Sequence, residues 1–162
     1  MKVLGYFTPL TGFEYPTGVS CHAYNIFATL TRRLADDFRI ASFKTVQQGA
    51  EDIVRTRCPG CHFEKLGISE TWAYHLTTYL RYPVFDNLST QFDWVYAPKE
   101  LPVVSRKMKV AVTIHDLLPF EREHRWYAGN GSLLYRLRWR WILKRITQEC
   151  DLIFTVSQFT KN

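Results

Sequence analysis

At 162 residues, with 46% of them hydrophobic and 15% aromatic, the chain is one domain of ordinary size that can bury a core without disulfide staples. It holds no run of about 18 uncharged apolar residues, which excludes a hydropathic membrane span. The formal net charge of +6 suits an anionic partner such as a nucleotide ligand, a membrane surface or nucleic acid, and does not choose among them.

The opening stretch MKVLGYFTPLTGFEY breaks into Pro9, Thr11 and Gly12 where a secretory leader would keep an apolar core, so a cytoplasmic location is expected. Four cysteines without such a leader read as reduced thiols, with Cys21 and Cys150 as small core or near-core residues.

In chain order, Lys2 to Phe7 is a short apolar run that predicts a first strand. After the Pro16-Thr17-Gly18 loop, Val19, Ala23, Ile26, Phe27, Leu30 and Leu34 recur at intervals of three and four, which predicts an amphipathic helix. Phe38 to Phe43 alternates as a second strand. Residues 47 to 67 are polar and carry Gly49, Pro59, Gly60 and Gly67, so most of them read as loop or short helix. Ile68, Trp72, Leu76, Tyr79 and Leu80 mark a helix that ends before Pro83. Phe92 to Pro98 is a strand stopped by its proline.

Lys109 to Leu118 is the strongest strand, and its nearly unbroken Val110, Ala111, Val112 and Ile114 predict a central position covered on both faces. Ser132 is placed to cap a long helix through Ile146, and Asp151 to Ser157 forms a last strand. Strands alternating with helices predict an α/β domain, a Rossmann-like open parallel sheet flanked by helices.

In such a sheet ligands bind beyond the carboxyl ends of the strands. Thr17-Gly18-Val19, His115-Asp116 and Ser157-Gln158 meet that condition. Gly18 either presents backbone N–H groups of a helix start to a phosphate or sugar, or supplies the small residue that the helix start needs. His115 either bonds a substrate hydroxyl or moves a proton, with Asp116 orienting it, or it is a satisfied structural histidine beside an Asx turn before Pro119. No metal site is expected, because His22, His62, His75 and His124 have no ligand spacing with His115.

Cys58-Pro59-Gly60-Cys61-His62 matches the C-x-x-C-H pattern of haem attachment. Its polar surroundings, with no second ligand pair, favour an incidental loop pair over metal, redox or haem chemistry. On a helical wheel of LLYRLRWRWILKRI, Tyr135, Trp139, Ile142, Leu143 and Ile146 form a core face, while Leu134, Leu137 and Trp141 form a second stripe. Arg136, Arg138, Arg140, Lys144 and Arg145 lie between the two. Helix 133–146 therefore suits either a peripheral membrane contact or a solvated basic face, and nucleic acid is not expected as a partner because no base-reading motif accompanies the charge.

Three segments together resemble the N-terminal domain of family 4 glycosyltransferases of the GT-B fold, in particular mannosyltransferase-like members. They are Thr17-Gly18-Val19 followed by a helix with Tyr24-Asn25, the strand Val112 to Pro119 carrying His115-Asp116, and Asp151 to Lys161 carrying Ser157. The resemblance implies transfer of a sugar from a nucleotide-sugar donor to a glycan or lipid-linked acceptor with retention of configuration, without cofactor or obligatory metal.

It further implies that Gly18 lies near the donor phosphates and the acceptor, that His115 faces the transferring sugar as the catalytic residue, that Asp116 shapes the turn, and that Ser157 sits at the cleft edge. Residues 1–162 would form the single acceptor-side domain. The family's donor-binding domain, with its basic pair and paired glutamates, has no counterpart in them and is expected as a partner in cis or in trans. Phe120 to Tyr127 reads FEREHRWY where the family has a proline-containing continuation. The alternative from another class is a non-catalytic module that binds a glycan, a protein or a membrane.

Overall fold

The structure, a computed structural model, describes residues 1–6, 17–44, 49–115 and 133–156. Its strands are β1 (Val3–Tyr6), β2 (Phe38–Phe43), β3 (His62–Leu66), β4 (Trp94–Ala97), β5 (Lys109–Ile114) and β6 (Leu152–Thr155). Its helices are α1 (Gly18–Leu34), α2 (Ala50–Arg57), α3 (Glu70–Leu80) and α4 (Leu133–Glu149). All six strands pair in parallel, in the order β3-β2-β1-β4-β5-β6. This is the doubly wound, Rossmann-like arrangement, with strand order reversing between β1 and β4.

Period-two alternation sorts the two cores. Val3, Phe38, Ile40, Tyr96 and Ala111 point to one face, where α1 contributes Tyr24 and Phe27 and α2 contributes Val54. Leu4, Tyr6, Ala41, Phe43, Val95, Val110 and Val112 point to the other, where α3 adds Ala73 and α4 adds Ile142 and Ile146. Right-handed crossovers require this division, since the chain winds outward from β1 in both directions. Gly5 sits where α1 comes closest to the sheet: a Cβ there would lie 2.9 Å from ring carbons of both Phe27 and Phe38.

The ends of the helices follow from side-chain chemistry. Thr17 Oγ1 accepts the Ser20 N–H at 3.3 Å to start α1, and Ser69 does the same for the Trp72 N–H to start α3. At the end of α3, Arg81 turns left-handed at φ 53°. The orphan carbonyls of Thr77 and Thr78 are taken by the buried guanidinium of Arg145, with Thr77 O at 3.1 Å.

Three expectations need correction. Residues 47–67 hold a short helix, α2, as expected, but also the edge strand β3, which was not. Among the described residues β3 pairs only with β2, and His62, Phe63, Glu64 and Lys65 stay partly or fully exposed and carry no apolar alternation. Arg39 instead bonds Glu64 across the pair at 2.9 Å. Arg145 is not a surface cation, being 5% exposed. Cys21 is exposed rather than near-core, whereas Cys150 is half-buried. β5 lies second from the β6 end, flanked on both sides, and its pairing stops at Ile114. α4 continues past Ile146 to Glu149.

Candidate functional site

At the carboxyl edge, β1 ends at Tyr6, β4 runs into Pro98-Lys99-Glu100 and β5 delivers His115. The β4–β5 connection pins that histidine twice. Its backbone N–H donates to the Glu100 carboxylate, and its ring Nε2 lies 2.8 Å from the Pro98 carbonyl oxygen. A carbonyl has no hydrogen to give, so Nε2 carries the proton, and a neutral ring then bears its lone pair on Nδ1.

Across from this ring stands His22, one turn into α1 from Gly18, with ring centroids 4.9 Å apart and planes at 88°. Burial, with a smaller contribution from His115, holds the His22 imidazole below its ordinary pKa. Its Nε2 is buried without a hydrogen-bond partner among the described residues. Gly18 itself is exposed, and a Cβ there would meet no described atom within 4 Å, so the start of α1 leaves room for a close approach.

Beside the histidines the edge carries a cluster of charge. Glu70 opens α3, and burial pushes its carboxyl up to about 7 despite the attraction of Lys99. Lys99 is held below its ordinary pKa by burial, against the pull of Glu70 and Glu100. For both groups desolvation outweighs mutual attraction, as for charges partly withdrawn from water. Burial, aided by Glu70, also keeps the Tyr6 hydroxyl un-ionised.

His22 lines one end of an apolar groove of about 570 Å³ between α1 and the sheet face, whose other walls include Ile26, Trp94, Tyr96, Thr113 and Phe154. Tyr96 and Thr113 bond each other through their hydroxyls at 2.8 Å in its floor.

Of the residues singled out in the sequence, Gly18 and His115 are brought to one corner of the edge through His22, while Asp116 and Ser157 lie outside the described residues. Sequence patterns did not reveal His22, whose partner is distant along the chain. Lys99 and Glu100 carried the same strand-end signal as His115, directly after Pro98. Glu70 looks like an ordinary acidic residue in a first helical turn.

Cys58 and Cys61 stay as buried free thiols at the two ends of a turn, exposed at Pro59 and Gly60, that leads from α2 into β3, with Cys61 N–H donating to Cys58 O at 3.1 Å and Gly60 at φ 80°. Burial pushes the Cys58 thiol up to about 12 and raises that of Cys61, the opposite of a reactive or ligating thiolate. Among the described residues no group of three or more His, Cys, Asp or Glu side chains is placed to hold a metal ion, and no helix is long and apolar enough to cross a membrane. Comparison with protein-family models, with curated proteins and with solved structures returned no match.

Proposed function

We propose that this domain is the acceptor-side half of a retaining glycosyltransferase, with the carboxyl edge of its sheet forming one wall of the reaction cleft. The supporting observation is the meeting of Gly18, His22 and His115 beside the point where strand order reverses, where open α/β sheets take their ligands. In this reading the start of α1 approaches the donor phosphates and the acceptor, and His115 faces the sugar in transit. A donor-binding domain in cis or in trans supplies the nucleotide contacts. The sequence resemblance gives Asp116 the role of a turn residue and Ser157 a role at the cleft edge.

The test is a heteronuclear NMR titration of the full chain with glycan acceptors, lipid-linked saccharides and nucleotide sugars. Acceptor saccharides should shift the resonances of Gly18, His22, Lys99 and His115 together, and Gly18→Val and His115→Ala should each weaken that binding by tenfold or more. With a donor-binding domain present, His115→Ala should reduce sugar transfer by about a hundredfold or more. Saccharide shifts that cluster elsewhere, or unchanged transfer by folded His115→Ala protein, would refute the assignment.

A further inference from the structure

The sheet edge leaves the outer side of the α3/α4 layer unexplained. α3 turns Trp72 and Tyr79 away from the core, Trp72 being 65% exposed, and Leu80 follows at its end. α4 turns out Leu134, Leu137 and Trp141, with Leu134 at 77%. Tyr79 and Trp141 stack with centroids 5.8 Å apart and planes at 14°, which joins the two stripes into one surface. The Arg138 guanidinium bonds the Tyr74 hydroxyl at 2.8 Å and ties the helices together one turn earlier.

Among the described residues the exposed charge on this surface is positive. At about 100° per residue, Arg140 and Lys144 fall on one flank of the Leu134, Leu137 and Trp141 stripe and Arg138 on the other. Arg81 extends the cationic rim past the end of α3, while the one carboxylate of α4, Glu149, is 10% exposed and engaged by Arg81 and Arg145. Glu70, the other acidic residue of the two helices, is half-buried at the sheet edge. Contiguous exposed aromatic and aliphatic side chains rimmed by cations are unusual on a surface that only meets water.

We propose that this face docks on an anionic lipid membrane, with Trp72, Tyr79, Leu134, Leu137 and Trp141 entering the headgroup boundary and Arg138, Arg140, Lys144 and Arg81 meeting lipid phosphates. A second copy fits less well, because among the described residues face-to-face pairing would oppose two cationic rims with no exposed carboxylate of either helix between them. Nucleic acid would use the cations but not the leucines. The inference is independent of the chemistry at the sheet edge.

The test is cosedimentation of the full chain with vesicles of phosphatidylcholine alone and of phosphatidylcholine mixed with phosphatidylglycerol, read alongside tryptophan emission. Binding should require the anionic lipid, shift the emission to the blue and be quenched by brominated acyl chains. Arg140→Gln with Lys144→Gln should weaken partitioning by about 25-fold, at roughly fivefold per cation. Trp72→Ser with Leu134→Ser should weaken it by about tenfold or more at unchanged melting temperature, since both side chains are mostly exposed. The proposal is overturned by failure to bind anionic vesicles, by binding without a blue shift, by variants that partition like the parent protein, or by a dimer in sedimentation velocity that the Trp72 and Leu134 changes abolish.

Discussion

Replacing Glu70 by glutamine should stabilise the protein at alkaline pH and leave it nearly unchanged at acid pH. Glu70 opens α3 at the sheet edge, where burial raises its carboxyl from 4.5 to about 7. Between those two values the folded state binds a proton that the unfolded chain does not, so the stability of the parent protein falls as pH rises through that window. One pKa unit corresponds to about 1.4 kcal/mol, which sets a ceiling of about 3.4 kcal/mol on the cost of the ionised carboxylate above pH 7. Glu70 is only half-buried, and solvent screening brings the expected effect down to about 1–2 kcal/mol.

Glutamine keeps the shape and never ionises, and Lys99 retains Glu100 as its other acidic neighbour. Urea unfolding of both proteins should therefore show Glu70→Gln more stable by about 1–2 kcal/mol at pH 8, with the gap closing as pH falls towards 5. A gap that is independent of pH, or one that widens towards acid, would show that the carboxyl is not desolvated and would remove the charge cluster from the description of the edge.

Gly5→Ala should lose about 1–3 kcal/mol in denaturant unfolding, because its new methyl would meet the Phe27 and Phe38 rings at 2.9 Å and force α1 off the sheet. Arg145→Met should lose about 2–3 kcal/mol, since it strands the buried Thr77 and Thr78 carbonyls, whereas Arg140→Met should stay within about 0.5 kcal/mol. At pH 8, with the fold intact, Cys21 should react with iodoacetamide while Cys58 and Cys61 remain unmodified by mass spectrometry. Rapid labelling of the buried pair would contradict its placement beneath α1, where the Cys58 thiol donates to the Tyr24 carbonyl at 3.4 Å.

The strands with an apolar signal were legible in the sequence because burial imposes it: β1, β2, β4 and β5 are nearly continuous runs between helices. β3 was not, because an edge strand needs an apolar contact only at Leu66 and at the half-buried Phe63, leaving polar residues elsewhere. α2 was blurred for a related reason, with Ala50 and Val54 alone fully buried in eight residues. On α4 a wheel showed the core face and the outer stripe but counted five equivalent cations. Arg145 is set apart only by α3 lying against that side of the helix, a fact of tertiary packing.

At the edge, His115 was legible from its position after an apolar strand. The meeting of His22 with His115, and of Glu70 with Lys99, was not, because only the tertiary fold brings those segments together.

The β4–β5 connection explains how the charges of the edge are arranged. It contains no helix, and its Leu101, Val103 and Met108 pack into the core on the α3 and α4 side as an extended strap. Asp86 fastens the far end of the strap, accepting from the Arg106 N–H at 3.1 Å and from the Ser105 hydroxyl. The near end is thereby fixed so that consecutive residues serve different neighbours: Pro98 meets the His115 ring, Lys99 feels Glu70, and Glu100 takes the His115 amide.

A helix in this connection would have turned those side chains about 100° apart per residue and carried some of them into solvent. Bends at residues 98–100 instead present them to these separate neighbours at the sheet edge. A change in the charge of Glu70 therefore acts directly on Lys99, the chain neighbour of the residue that holds His115 in place.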